Sequence, residues 1–348
     1  MTEADKVLVV GPSWVGDMVM AQALYKLLRR ESPRAEIHVV APPWSLPVLE
    51  RMPEVTRGIE LGVGHGEIGF GRRLHLARQL RAERYRRAIV LPRSAKAAVV
   101  PWLARVPVRT GFRGEWRYGL LNDVRALDAR LDQTVKRFVA LGLPRDAAVP
   151  PALPAELQPR LRSDPQNLER LRALHALTPG ARFAALMPGA EYGPAKRWPA
   201  AHFGALAASL ARADADVVVL GSAKEKSIGD EVAAGAAHPR VRNLCGATSL
   251  ADVVDLLAAA DVAVSNDSGL LHVAAAAGAP VVALYGSSSP KFTPPLTDEA
   301  AVVSLEIECS PCFARECPLK HFKCLNDLTP ATVLRAVDTV RAARSGRH

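Results

Sequence analysis

Short apolar runs rich in β-branched residues recur along this chain. Each is closed by a glycine or a polar turn and followed by residues at helical spacing. The first is KVLVV (6–10), closed by Gly11; after it Met18, Ala21, Leu24, Leu27 and Leu28 fall at i, i+3 and i+4 steps. IHVVA (37–41) reads as a second strand, and RRAIVL (86–91) as another, followed by Ser94 and a helix through Val100; residues 133–141 read as helix. Such alternation admits few folds, because parallel strands need long crossover connections and helices supply them. The series then stops at PRDAAVPPALPAELQPRLRSDP (144–165), whose six prolines break regular structure and mark a domain boundary.

A second series follows. A helix over 165–176 leads into strand FAALM (183–187), helix 198–212, strand DVVVLG (216–221), helix 223–236 and a short strand near 241–244. Ser249 is placed to cap the helix of SLADVVDLLAAA, whose Leu250, Val253, Val254 and Leu257 share one face. Strands DVAVSN and PVVALYG flank a helix of small residues, and Thr329-Pro330 opens the last helix. A chain of 348 residues exceeds one compact core. The expected fold is α/β: two doubly wound, Rossmann-like domains over 1–160 and 161–328, facing a central cleft, with a helix over 329–348. Ligands of open parallel sheets bind beyond the carboxyl ends of the strands, so chemistry is sought in the loops that follow them.

Composition narrows the function classes. Apolar residues make up 49% and charged residues 23%, as in soluble globular proteins. No basic-then-apolar leader opens the sequence and no run of about 18 apolar residues is free of charge or breakers, so neither a signal peptide nor a membrane span is expected. A cytoplasmic location with reduced cysteines follows as an expectation. The net charge is +10, and residues 72–117 hold thirteen Lys and Arg. Acidic partners are therefore expected: nucleic acid, an anionic membrane face or phosphorylated substrates. The alternative is a set of solvated charges. Nucleic acid is disfavoured, since no recognised reading motif is present and the Arg residues fall within strand and helix patterns.

Four loops carry candidate chemistry. GPSWVGDM (11–18) places Asp17 at a helix start, either as a capping carboxylate or as a general base. MPGAEYGPAKRWP (187–199) offers Lys196 at the mouth of a nucleotide site, or as a solvated cation before a helix. GSAKEK (221–226) offers Glu225 to a ribose. Asn266-Asp267-Ser268-Gly269 opens a helix whose free N–H groups and dipole suit a diphosphate, and His272 shares a face with Ser268. Neither a GxGxxG nor a Walker motif occurs, so hydride transfer and P-loop chemistry lack support. Cys309, Cys312, Cys317 and Cys324 are spaced C-x2-C-x4-C-x6-C. A structural zinc site is the weaker reading of them, and reduced thiols in a loop-rich segment the stronger.

GPSWVGDMVMAQAL, MPGAEYGPAKRWP, LGSAKEK, NLCGATSL and SNDSGLLHVAAAAGAPVVALYG together resemble the bacterial ADP-heptose:lipopolysaccharide heptosyltransferases, glycosyltransferase family 9. PGAEYGPAKRWP and CSPCFARECPL are most similar to type II members. The resemblance spans nearly the whole chain and implies a GT-B fold whose C-terminal helix returns to the first domain. It implies inverting transfer of L-glycero-D-manno-heptose from ADP-heptose to the first heptose of the inner core, on a heptosyl-Kdo2-lipid A acceptor. No cofactor and no metal are implied, and the site of action is the inner-leaflet surface, reached as a peripheral protein. Matched by motif, Asp17 is the expected base and Lys196 the group that holds the leaving diphosphate. Glu191, Tyr192, Glu225, Asp267, Ser268, Gly269 and His272 complete the expected donor site. Ser13, Trp14 and Gly16, with Arg109, Arg113 and Arg117, are the expected acceptor contacts. Type I members carry a Thr pair where this chain has Glu191-Tyr192, which favours type II. Type I and other GT-B nucleotide-sugar enzymes, epimerases included, are the alternatives.

Overall fold

The computed structural model describes residues 5–63, 69–148, 152–178 and 182–345. The chain divides between Pro159 and Arg160 into two units. The first runs β1 (Lys6–Val10), α1 (Val15–Glu31), β2 (Glu36–Ala41), α2 (Leu46–Glu50), β3 (Arg57–Glu60), α3 (Phe70–Arg81), β4 (Arg87–Val90), α4 (Ala95–Leu103), β5 (Val108–Phe112), β6 (Asp123–Arg125) and α5 (Thr134–Gly142). The second runs α6 (Pro165–Leu174), β7 (Arg182–Met187), α7 (Ala200–Arg212), β8 (Ala215–Val219), α8 (Lys226–Ala236), β9 (Val241–Asn243) and α9 (Leu250–Ala259). It continues with β10 (Val262–Asn266), α10 (Gly269–Ala277), β11 (Val281–Tyr285), β12 (Ala300–Ser304), α11 (Lys323–Asn326) and α12 (Pro330–Ser345).

The two sheets have the same design. The first is ordered β3-β2-β1-β4-β5-β6 and the second β12-β11-β10-β7-β8-β9. Every named pair is parallel: Val7 to Val10 lie beside Ile37 to Val40 and Arg87 to Val90, and Val262 to Ser265 beside Ala184 to Met187. Strands covered by helices on both faces read as unbroken apolar runs, and β8, β10 and β11 are buried at every residue. The edge strands β3, β6, β9 and β12 are partly exposed, and β3, β6 and β9 carry few apolar residues. That is why sequence patterning passes over β3 and β6. In such an order the crossovers leave the first and fourth strands in opposite directions, and a crevice opens where they part. Those places are β1/β4 in the first unit and β7/β10 in the second.

The last helix packs within the second unit. Val333, Val337 and Val340 of α12 join Phe203, Leu206 and Leu284 in the core of the second unit. α12 packs on α7, β10, β11 and β12, and Arg341 pairs with Asp261 at 2.8 Å. Its apolar stripe is therefore taken up by the second unit. Among the described residues no helix is long and apolar enough to cross a membrane.

Candidate active site

In the first unit a cavity of about 340 Å³ opens at the β1/β4 crevice. The β1–α1 loop lines it with Pro12, Ser13, Trp14 and Asp17; Trp44 enters from beyond β2, Arg73 from α3 and Lys96 from α4. The indole Nε1–H of Trp44 donates to the Ser13 carbonyl at 2.8 Å, which ties the loops after β1 and β2 together. Asp17 stands in the first turn of α1, and the helix begins without a side-chain cap at Trp14. It is half-buried, and it is the one carboxylate among the described residues lining the cavity. Gly16 is buried in the same turn and does not line the cavity.

The expected acceptor arginines take other parts. Arg117 is only 2% exposed; its guanidinium donates to the carbonyls of Phe112, Pro92 and Ser94, and burial pulls its pKa down to about 10. Arg109 donates to the carbonyls of Leu120 and Val106, and burial lowers its pKa as well. Both guanidiniums saturate main-chain carbonyls of their own sheet edge, so the structure corrects their assignment as acceptor contacts. Arg113 alone of the three is exposed. The turn that Arg117 anchors projects Trp116, which is 91% exposed, together with Tyr118.

In the second unit, loop 188–199 after β7 meets the start of α10 after β10. Lys196 Nζ lies 2.5 Å from Asp267 Oδ2. Asp267 is 5% exposed and the Lys196 side chain 17%. The helix begins at Ser268, whose side chain makes no capping bond, so its first N–H groups keep their capacity for an anion. His272, one turn further on, is buried, and its Nδ1 has no hydrogen-bond partner. Burial pushes its pKa below the ordinary value; the Asp267 carboxylate opposes that shift and the Lys196 ammonium adds to it. The imidazole is therefore neutral at neutral pH.

Around this pair the loop is held from several sides. The Lys196 ammonium sits 4.9 Å from the Tyr192 ring centroid and the Arg315 guanidinium 5.1 Å from it. The Tyr192 hydroxyl donates to the Phe313 carbonyl at 3.0 Å. Glu191 is exposed and faces Lys224 at 3.5 Å. Glu225 accepts from the Ser222 N–H at 2.7 Å and from its hydroxyl at 2.9 Å, forming a capping box at the start of its helix. The same carboxylate abuts Gly189, where a side chain would collide with it. Glu225 thus borders loop 188–199 while it caps its own helix.

Two contributors escape sequence reading. Asn266, fully buried, accepts from the Trp198 N–H at 3.0 Å and donates to the Pro188 carbonyl at 2.7 Å, clasping both ends of the loop to β10. The polar knot Asn-Asp-Ser-Gly was its one signal. Arg315 lies in the cysteine-rich segment, whose main chain braces the loop through Ala195 N–H to the Arg315 carbonyl at 3.0 Å. Backbone N–H groups of Phe322, Leu319, His321 and Lys320 lower the Cys317 thiol pKa. Burial raises that of Cys324, and the charges of Cys309, Cys312 and Cys317 raise it further. The thiols are neighbours, yet among the described residues no three His, Cys, Asp or Glu side chains are placed to hold a metal ion.

Comparison with known proteins matches these features to one family. The model for "Glycosyltransferase family 9 (heptosyltransferase)" matches residues 73–323. The chain is 44% identical to lipopolysaccharide heptosyltransferase 2 of Salmonella typhimurium over 96% of its own length and 98% of that protein. It is 43% identical to lipooligosaccharide heptosyltransferase 2 of Haemophilus influenzae over 86% and 88%. The solved structure of E. coli ADP-heptose lps heptosyltransferase II superposes with a TM-score of 0.85 at 41% identity, covering 98% of this chain and 99% of that one. The fold is accordingly of the GT-B class, two units each built on a parallel six-stranded sheet. The chain belongs to glycosyltransferase family 9, the heptosyltransferases.

Proposed function

We propose that this protein transfers L-glycero-D-manno-heptose from ADP-heptose to the first heptose of a heptosyl-Kdo2-lipid A acceptor, with inversion at the anomeric carbon. The observation that carries this reading is the placing of complementary groups at equivalent crevices. The first unit has a cavity with one carboxylate among its described lining residues, and the second has a Lys–Asp pair at an uncapped helix start. Asp17 takes the proton of the acceptor hydroxyl as its oxygen bonds to the anomeric carbon, and the bond from that carbon to the diphosphate oxygen breaks. ADP leaves with the electron pair. Lys196 and the N–H groups at Ser268 and Gly269 hold the charge that develops on it, a kind of stabilisation worth about 2.7–4 kcal/mol per donor. Asp267 fixes the ammonium of Lys196, neutral His272 offers a donor or acceptor to the sugar, and Tyr192 and Glu225 border the nucleoside. Glu191 stays at the rim.

Full-length similarity to proteins named heptosyltransferase 2 favours the second heptose over the first as the product. The chemistry assigned to Lys196 and the helix start needs no bound cation, so turnover is expected to survive chelators. The protein works at an anionic inner-leaflet surface as a peripheral protein, with Trp116, Tyr118 and the exposed Arg78, Arg81, Arg84, Arg105 and Arg113 toward it. The deciding experiment is mass spectrometry of purified acceptors after incubation with ADP-heptose. One added heptose on heptosyl-Kdo2-lipid A is the expected product. Addition to Kdo2-lipid A alone would replace the type II reading with type I.

A further inference from the structure

We propose that the hydroxyls of Ser287 and Ser288 form a subsite for the sugar of the nucleotide-sugar donor, on the β11 side of the α10 start. The inference rests on the proposed donor site and adds to it two groups that bind the sugar.

Both side chains lie in the turn Gly286-Ser287-Ser288-Ser289, just after β11. Ser287 is 1% exposed and Ser288 7%, and among the described residues neither Oγ has a hydrogen-bond partner. Neighbouring serines differ. Ser265, buried in the adjacent strand β10, donates to the Asn266 carbonyl at 2.7 Å, and the Ser289 hydroxyl accepts from the Lys291 N–H at 3.2 Å. A buried hydroxyl without a partner is costly, so nearly all such groups in native proteins are satisfied. Two in succession at the carboxyl end of a parallel strand, where open sheets take their ligands, point to a partner outside the chain. The turn is also held in place. Its Ser287 carbonyl accepts from the Phe313 N–H at 2.6 Å and its Gly286 carbonyl from the Ser310 hydroxyl at 2.6 Å. The Tyr285 hydroxyl donates to the Thr293 carbonyl at 2.7 Å, and a side chain at Gly286 would collide with Leu325. Little ordering is then left for a ligand to impose.

The order of the sheet sets which part of the donor these hydroxyls meet. Strands β11, β10, β7 and β8 are neighbours in that sequence. Glu225 follows β8, Lys196 follows β7 and the α10 start follows β10. A donor with its ribose at Glu225 and its diphosphate at Lys196 and the α10 start therefore extends its sugar toward the end of β11. Asn266 lies level with Leu284, and the Asp267 N–H donates to the Leu284 carbonyl at 3.1 Å. The α10 start and the serine turn thus leave the sheet side by side. α10 packs on both strands, and its His272 brings a further unpartnered buried atom, Nδ1. Hydroxyls and a neutral imidazole suit sugar hydroxyls, which both donate and accept. A diphosphate calls instead for the charge of Lys196 and the helix start.

The test measures binding of ADP and of ADP-heptose to the full chain by calorimetry, without acceptor. The proteins are the parent, Ser287→Ala, Ser288→Ala and the double variant. Affinity for ADP should not move. Affinity for ADP-heptose should fall by roughly tenfold to a hundredfold in the double variant, the effect of two neutral hydrogen bonds, and the single variants apportion that loss. The melting temperature of the unliganded protein should stay level or rise, because alanine removes a buried hydroxyl that has no partner. A lower melting temperature would mean that the hydroxyls serve the fold, and would overturn the proposal. Equal losses for ADP and ADP-heptose, or no loss for either, would also overturn it. Product formation on heptosyl-Kdo2-lipid A is read separately. If the parent binds ADP-heptose but makes no product, the transfer reading fails, and the change in affinity still decides the subsite. A parent that binds neither nucleotide refutes both.

Discussion

Replacing Lys196 by Ala tests two roles at once, the proposed hold on the leaving diphosphate and the neutralisation of Asp267. The partners lie 2.5 Å apart, with Asp267 at 5% exposure and Lys196 at 17%. Breaking a buried pair from one side typically costs 3–5 kcal/mol, because the remaining charge is left in a poor solvent. The partial exposure of Lys196 lets water reach the carboxylate, so the lower end, about 3 kcal/mol, is expected. For a unit the size of Arg160–His348 that corresponds to a fall in melting temperature of roughly 6–12 °C. The double variant Lys196→Ala/Asp267→Asn removes the stranded charge and should recover most of the loss. Turnover should not follow. With no cation on the departing ADP, both variants should stay about 100-fold or more below the parent in kcat, at nearly unchanged acceptor KM. Denaturant melts and steady-state kinetics on the four proteins of the cycle give both quantities. Full stability in the single variant would refute the buried-pair argument. Recovery of kcat in the double variant would refute the leaving-group role and reduce Lys196 to a counter-ion.

Asp17→Asn should nearly abolish transfer while ADP binding by calorimetry stays intact; parental turnover would exclude it as the base, and an unfolded variant would make it a cap. Asn266→Ala strands the Trp198 N–H and the Pro188 carbonyl, at about 1–3 kcal/mol each, and chemical melts should show that loss alongside weaker donor binding. Burial lowers the pKa of His38, His175, His202 and His272. The unfolded chain therefore takes up protons below about pH 6.5 that the native chain refuses, and stability should fall with acidification from there by up to about 1.4 kcal/mol per pH unit per histidine. A flat urea midpoint between pH 7 and 5 would contradict this. Trp116→Ser should weaken sedimentation with anionic vesicles, and that binding should drop steeply with salt; equal binding to neutral vesicles would remove the membrane role from the 113–118 turn.

The sequence made the central strands and the site loops readable for one reason. Strands buried on both faces must be continuous apolar runs, and the loops that follow them must hold the chemistry. KVLVV, FAALM and DVAVSN are of this kind, and Asp17, Lys196 and Asp267 lie in the loops and first helical turn that follow them. Edge strands such as β3 and β6 carry no such run, because one side has no neighbour to bury against. Arg109 and Arg117 misled for a related reason. A count of cations does not tell a guanidinium in water from one that closes a turn by binding carbonyls, as Arg117 does at Phe112 and Pro92. Asn266 and Arg315 act through main-chain atoms distant in sequence, and no local pattern records such partners. The apolar stripe of α12 was visible, but which unit would take it up was not.

Because every strand of the first sheet comes from the first 159 residues, that unit can fold while the rest is still being made. Its central pair closes only when β4 has emerged, so β1 waits some eighty residues for one neighbour while β2 arrives early. At about 5–20 residues per second, synthesis of the remainder lasts roughly 10–40 s, ample for a small α/β unit to settle. The first-unit cavity would then be finished on the ribosome before Lys196 has been added to the chain. The second unit must wait longer, since α12 supplies Val333, Val337 and Val340 to its core and follows all of its strands in the chain. A chain stalled before α12 would thus carry a folded first unit and a second unit without its closing helix, and the second unit is where chaperones and proteases would act.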